Sequence, residues 1–396
     1  MRWRLPASVL AVLAVLAVLA VLALAPACSR QPRTGAARPA RQLVDAGAPA
    51  AGPPGRWSDG PLFEVARGGH TATLLPDGRV LLVGGNANLH VTEPSGAEIF
   101  DPAGKLDGTL YKLPLRIGHT ATRLPDGRVL IFGGRESGTR AAANMFLDGS
   151  TMTPSILPWR APGHSATPID GGEVLLLSAT DELDPALLVA SGIGVVVELK
   201  QWKPTVHTAT WLGDGRLLVV GDRSESVGLM GPDPAGPSPG PDTGRQRFAA
   251  LPGAQGRMRH HAIALLDGRV LVFAGCTPPS CERPAPAQLF DPRSKRLTDS
   301  AAAGPALVDA IAVRLLDGRI LIAGGARVGD QSHTPRAEAE LYDPARDRWS
   351  PAAPMRAARM GAAAVVLADG RVLVTGGQVT ADGMDPFVRS TELFTP

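Results

Sequence analysis

One short segment recurs seven times along this 396-residue chain, and it constrains the fold more than any other feature. It reads DGRVLLVGG at 77–85, DGRVLIFGG at 126–134, GGEVLLLSA at 171–179 and DGRLLVVGD at 214–222. It returns as DGRVLVFAG at 267–275, DGRILIAGG at 317–325 and DGRVLVTGG at 369–377. The first aliphatic positions (Val80, Val129, Val174, Leu217, Val270, Ile320 and Val372) are separated by 49, 45, 43, 53, 50 and 52 residues. Asp-Gly turns a chain tightly, as a two-residue hairpin loop requires. The Val/Leu/Ile run after it reads as a buried strand, and the Gly pair as its terminator. A period of this length, built on hairpins, is that of radially repeated sheets.

Each copy supplies four strands. A short apolar-polar stretch such as His70 to Leu75 precedes the hairpin, and a variable loop follows it. A third strand then appears at Glu98 to Pro102, Gln288 to Pro292, Glu340 to Pro344 and Glu392 to Pro396. A fourth, outer strand carries Trp, as at Trp202 and Trp349. Paired Gly, the E-L-Y-D-P motif and the Trp make residues 56–396 resemble kelch repeats, and more narrowly the propeller domain of galactose oxidase. The third copy lacks Gly-Gly, and in the fourth a Pro/Gly-rich loop from Gly231 to Gly244 takes the place of the third strand. The last copy stops at Pro396 without an outer strand, while Arg56 to Leu62 reads as a spare one. The expected fold is therefore all-β: a seven-bladed kelch-type β-propeller whose ring is closed by an N-terminal outer strand in the last blade. Gly 46 and Pro 37, with aromatics at only 4%, suit many short strands and tight turns.

Residues 1–28 have the layout of a secretory signal: Arg2 and Arg4, an Ala/Val/Leu run from Ala7 to Ala25, then Pro26-Ala27-Cys28. The end resembles a bacterial lipobox, which implies lipidation of Cys28. Ala25-Pro26-Ala27 also fits ordinary A-x-A cleavage, and a retained N-terminal anchor is a third reading. Ser29 after the Cys implies the outer membrane of a Gram-negative cell envelope; without lipidation the protein is secreted or periplasmic. Residues 29–55, rich in Pro, Ala and Arg, read as a flexible tether. The leader contributes +2 and the tether +3 to a formal net charge of +3, so residues 56–396 sum to −2. A near-neutral body without a basic stripe excludes nucleic acid as a partner. With Cys28 lipidated, Cys276 and Cys281 remain, and a local disulfide is expected in an oxidising compartment. A C-x4-C metal site lacks a second ligand pair.

In such sheets the loops after the second and fourth strands leave on one face. The long, variable ones run from Asn86 to Gly96, Arg135 to Ala143, Cys276 to Ala287, Ala326 to Ala337 and Gln378 to Arg389, so this face is the expected binding surface. Ten residues before each anchor stand His70, His119, His164, His207 and His260, with Ala310 and Ala362 in the last two copies. His residues at one channel mouth suit a metal or anionic ligand; placed once per copy, they also suit a repeated hydrogen bond to the neighbouring blade's backbone. His261 breaks the pattern. The Arg of each DGR and the third-strand carboxylates Glu98, Glu340 and Glu392 read as structural, the Arg residues as inter-blade hydrogen-bond donors.

The galactose oxidase resemblance implies copper held by two Tyr and two His. Here Gly69 and His260 occupy the two Tyr positions, and only His261 carries over. The expectation is therefore no cofactor, no metal site and no catalytic residue, and copper-radical oxidation is rejected. The alternative enzyme is a periplasmic sugar mutarotase, which a kelch repeat resembles. The principal expectation is a monomeric, membrane-anchored binding or scaffold lipoprotein that recognises an envelope protein or glycan.

Overall fold

The computed structural model describes residues 55–87, 96–104, 109–111, 113, 116–136, 144–149, 151–154, 164–178, 186–190, 193–197, 199–200, 207–232, 246–380 and 386–396. The leader, Cys28, the tether through residue 54 and Trp202 lie outside them. The regular secondary structure of the described residues is all strand apart from two single 3-10 turns, and the chain folds as a β-propeller. Six sheets have four strands and one has five; the sheets are numbered here in chain order by their innermost strands.

The inner strands are Thr71–Leu74, Arg116–Arg123, Ser165–Pro168, His207–Trp211, His261–Ala264, Ile311–Arg314 and Ala363–Val366. Each pairs antiparallel with the aliphatic strand of its hairpin, from Val80–Val83 in the first sheet to Val372–Thr375 in the last. Third strands follow, as in Ala97–Phe100 and Ala339–Asp343. The outer strand of the seventh sheet comes from the other end of the described chain. Arg56–Asp59 pairs antiparallel with Thr391–Thr395, placing Trp57 opposite Phe394 with ring centroids 5.0 Å apart.

The hairpin turn is larger than Asp-Gly alone implies. Leu75 N–H donates to Arg79 O at 2.8 Å, and Gly78 N–H to Leu75 O at 3.1 Å, so the loop is Pro76-Asp77-Gly78. That is a type I turn closed by a left-handed residue, and Gly78 at φ +89° supplies it. Gly127, Gly268, Gly318 and Gly370 repeat the conformation. The Arg of each DGR is likewise local. Arg79 Nε donates to Asp77 Oδ2 at 2.7 Å, and the same bond recurs from Arg128, Arg216, Arg269, Arg319 and Arg371 to the Asp two residues earlier. Arg216 and Arg269 also reach a neighbouring sheet, at Pro292 O and Pro344 O. The expected inter-blade bond is thus made by Arg216 and Arg269, in addition to the local pair that a two-residue separation across the turn gives every one of these Arg residues.

Successive residues of a strand face opposite sides, and here each side is a different neighbour. Leu81 and Val83 pack with Val129 and Ile131 of the second sheet. Val80 and Leu82 pack with Leu373 and Leu393 of the seventh. The same division holds between other adjacent sheets, as where Leu130 and Phe132 pack with Val174 and Leu176. The second strands read as unbroken aliphatic runs because both faces are buried. Burying each such side chain stabilises by roughly 1.5–3 kcal/mol.

The fourth sheet corrects another expectation. Its third strand is present as Gly228–Pro232, paired with Leu217–Gly221, ahead of the Pro/Gly-rich segment. Gln246–Ala250 follows as the fourth strand, and Leu199–Lys200 adds a parallel fifth. Glycine at 228 and 231 disguises the strand in the sequence. At Gly228 a Cβ would stand 2.3 Å from Ala249 O, so the close approach of the fourth strand requires glycine.

The Gly pairs do more than end strands. Gly85 N–H donates to Arg116 O at 2.7 Å, Gly325 to Arg359 O at 2.9 Å and Gly377 to Arg67 O at 2.9 Å. A Cβ at Gly84 would lie 2.4 Å from Arg116 O and 2.5 Å from the His119 ring. The pair therefore lets each sheet dock on the backbone of the next.

Candidate functional site

The repeated histidines sit where each inner strand begins, and each reaches sideways to the preceding sheet. His119 Nε2 lies 3.0 Å from Thr71 Oγ1, His164 Nε2 2.8 Å from Thr120 Oγ1, and His207 Nε2 2.9 Å from Ser165 Oγ. His260 Nε2 lies 2.9 Å from Thr208 Oγ1. In all four, the partner is the residue directly after the preceding sheet's own His. The seventh sheet has Ala363 there, so Thr375 from its second strand supplies the hydroxyl, 2.8 Å from His70 Nε2. The Nε2 partners are side-chain hydroxyls, because a Thr or Ser next to the His projects along the inner wall into reach, while the Val83 backbone also hydrogen-bonds His119 as expected. His261 stands at the hydroxyl's position in the fifth sheet. Its target in the sixth is Ala310, and the longer ring reaches the Ala310 carbonyl at 3.1 Å. His261 thus takes the place of the Thr or Ser and spans to a position that has no ring.

Burial holds these rings neutral. Desolvation, assisted by Arg116 and His164, lowers the His119 pKa to about 3. Desolvation with Arg257 and His261 brings His260 to about 3. His207 and His261 are lowered to about 4 and His70 well below 6.5, each chiefly by desolvation. Among the described residues no three His, Cys, Asp or Glu are placed to share a metal.

Beneath the histidines lies a second series. Arg67, Arg116, Arg257 and Arg359 are at most 2% exposed, each three residues before a His or its Ala replacement. Arg359 Nη2 donates to Glu392 Oε1 at 2.7 Å, and its Nη1 to Gly376 O at 2.8 Å. Arg67 Nη1 donates to Gly84 O at 3.0 Å, and its Nη2 lies 3.7 Å from Glu98 Oε2. Arg257 Nη2 donates to Gln288 Oε1 at 2.5 Å. These bonds tie the entry of the first strand to the start of the third. The R-x-x-H spacing at 67–70, 116–119 and 257–260 is the sequence signal for them.

The residue just before each His has a different character. Gly69, Gly118 and Gly361 adopt φ of +67°, +66° and +61°. A Cβ at Gly69 or Gly118 would meet nothing within 4 Å, so the position opens onto free space. In the fifth and sixth sheets the same left-handed backbone is forced on Arg259 (φ +55°) and Asp309 (φ +53°). Their side chains form a bidentate ion pair, with Arg259 Nε donating to Asp309 Oδ1 at 3.0 Å and Nη2 to Oδ2. Non-glycine residues in this region carry strain of order 1–3 kcal/mol.

The strain is concentrated nearby. Of seven non-glycine residues with positive φ among the described ones, Arg259, Ala274, Cys281, Asp309 and His333 lie on the long-loop side of these two sheets. There a cleft of about 160 Å³ is lined by Arg259, Ser280, Cys281, Arg327, Asp330 and His333, among others. One wall is braced by the disulfide joining Cys276 to Cys281. The other is held by Leu307–Val308 pairing with Ala326–Arg327, and by Asp330, whose carboxylate accepts from Ser332 N, Ser332 Oγ and Thr334 N.

No family model matches this chain, and no curated protein does. Among solved structures it is similar to a fungal alcohol oxidase of the AA5 family, determined in complex with copper. The two share 18% identity over 86% of this chain and 76% of that one, with a TM-score of 0.67. The likeness is one of fold. The propeller is galactose oxidase-like, and its residues do not suit copper. Glycine stands at 69, and the His260 and His261 rings are committed to Thr208 and to the Ala310 carbonyl. No step through a metal is derived for this chain.

Proposed function

We propose that the protein is an exported, membrane-anchored binding or scaffold module that recognises an envelope glycan or protein through its long-loop face. In this reading the five-stranded sheet counts as a blade, and seven kelch-type blades form a closed ring. Apolar clusters between every pair of neighbours, the seventh and first included, support that count. So does the pairing of Arg56–Asp59 with Thr391–Thr395. Residues 1–28 act as an export signal with lipidation at Cys28, and residues 29–55 tether the propeller to the bacterial envelope.

One observation carries the functional reading: strained, charged side chains gather on the long-loop side of the fifth and sixth sheets, where the first, second and seventh have Gly69, Gly118 and Gly361 at the equivalent position. Strain of this kind persists where the surrounding structure over-determines it, and it clusters at ligand sites. The buried, neutral histidines support a scaffold role more than acid–base chemistry on a sugar.

The test uses the mature chain in surface-binding measurements against cell-surface polysaccharide and purified envelope proteins. The reading expects saturable binding that Arg259→Gly with Arg327→Ala abolishes, and that Arg319→Ala with Arg371→Ala on the hairpin face leaves intact. Binding lost only with the hairpin-face pair, or no saturable binding at all, would contradict it.

A further inference from the structure

We infer that the cleft between the fifth and sixth sheets holds the carboxylate of a sugar-sized acid, of the hexuronate kind, between the guanidinium groups of Arg259 and Arg327. The inference rests on the long-loop face being the recognition surface, and it names the chemistry recognised there.

The donors are present and only partly committed, although the Arg327 charge also acts on the Glu338 carboxylate. Arg259 gives Nε and Nη2 to Asp309, while its Nη1 makes no hydrogen bond among the described residues. Asp309 thereby fixes the guanidinium plane without consuming its outer edge, which makes it a positioning residue. Arg327 is exposed, and its guanidinium makes no hydrogen bond or ion pair among the described residues. Elsewhere on the same part of the chain Arg336 is paired with Glu338, Arg346 with Asp343 and Arg356 with Asp59. Two guanidinium-bearing residues lining one cleft match the two oxygens of a carboxylate, which arginine binds as a planar fork.

The acceptors narrow the class further. Asp309 and Asp330 bring negative charge into or beside the same cleft. A doubly charged phosphate would meet both carboxylates. A singly charged acid whose other groups are hydroxyls would instead donate to them. Ser280, Gln331 and His333 add neutral polar partners at the rim. The volume of about 160 Å³ is below the ~300–1,000 Å³ usual for drug-sized ligands, so the cleft takes one ring and not an oligomer. Among the described residues the exposed large apolar side chains are Leu62, Ile117, Leu266 and Leu316, and none of them lines this cleft.

The acid could be free or a unit of an acidic polysaccharide, and both present the same carboxylate. Calorimetric titration of the mature, disulfide-bonded protein with glucuronate, glucose, inorganic phosphate and a polyuronate separates the possibilities. Expected are binding of glucuronate, none of glucose, weaker binding of phosphate, and affinity that falls as ionic strength rises. Arg327→Ala should weaken glucuronate at least about tenfold, the scale of a lost charge-assisted contact. Asp309→Asn, which keeps a residue tolerant of the left-handed backbone, should weaken it less and leave the thermal midpoint within a few degrees. Tighter binding of the polyuronate assigns the polymer as source; binding of the monomer alone assigns the free acid. Phosphate binding more tightly than glucuronate would overturn the inference, as would glucuronate affinity unchanged in Arg327→Ala. If no acid binds while a neutral glycan or envelope protein still engages the long-loop face, the inference falls and the binding role stands. If that face engages nothing, both fall.

Discussion

The inner wall of the first four sheets and that of the fifth and sixth use the same positions with different side chains. From the first sheet to the fifth, a neutral His meets the hydroxyl of the neighbour before it, at 2.8–3.0 Å each time. Between the fifth and sixth, His261 spans to a backbone carbonyl because Ala310 offers no ring. At the preceding position, Gly69 and Gly118 accept a left-handed backbone at no steric cost. Arg259 and Asp309 accept the same backbone under strain and place a charged pair at the edge of a cleft. Where the repeat is regular, its polar residues serve packing between sheets. Where it departs, polar groups are oriented and left partly unspent.

Four measurements break or sharpen that contrast. The largest effect belongs to the regular part. Arg359→Met leaves Glu392 buried without its cation, and urea unfolding should show a loss of about 3–5 kcal/mol. A loss under 1 kcal/mol would mean that the pair is not part of the scaffold.

The next concerns the histidines. Their pKa is lower in the folded chain than in the unfolded one, at about 3 against 6.5 for His119. Below pH 6.5 the unfolded state therefore binds more protons, and stability falls as pH drops from 6.5 towards 3. Each ring contributes about 1.4 kcal/mol per pH unit across that window. His119→Gln should make the decline between pH 6.5 and 4 shallower by that amount, and an unchanged slope would remove His119 from the buried, neutral set.

Third, Arg259→Gly should stabilise the protein by about 1 kcal/mol. It relieves a left-handed non-glycine residue and loses only a partly exposed ion pair. Gly→Ala at Gly69 or Gly118 should do the reverse by a similar amount, since the space is free but the backbone is unsuited to Ala. Smallest of all, Arg319→Ala on the exposed hairpin should change stability by less than about 1 kcal/mol.

Much of the scaffold was legible before any coordinates. The recurring DGRVL segments mark the buried second strands because their two-sided burial needs unbroken aliphatic runs. The third-strand motif and the spare strand at Arg56–Asp59 could be read from position alone. The three-residue turn could not, because Asp-Gly suits a two-residue loop equally well, and only the Leu75–Arg79 bond decides. The third strand of the fourth sheet was hidden by glycines that close contact with Ala249 demands. The site was less accessible. The R-x-x-H spacing was visible, yet its partners Glu98, Gln288 and Glu392 lie about thirty residues downstream and meet it only in the folded sheet. Aligning the copies on their His does expose Arg259 and Asp309 against Gly69, Gly118 and Gly361. That substitution acquires meaning only once the position is known to be left-handed and open.

The most direct measurement pairs two readings on one preparation of Arg259→Gly: the thermal midpoint, and the affinity for glucuronate by calorimetry. A residue strained for recognition predicts a midpoint at or above that of the parent protein, with affinity at least about tenfold lower. A lower midpoint with undiminished affinity would contradict the account, because Arg259 would then be supporting the fold and not the ligand.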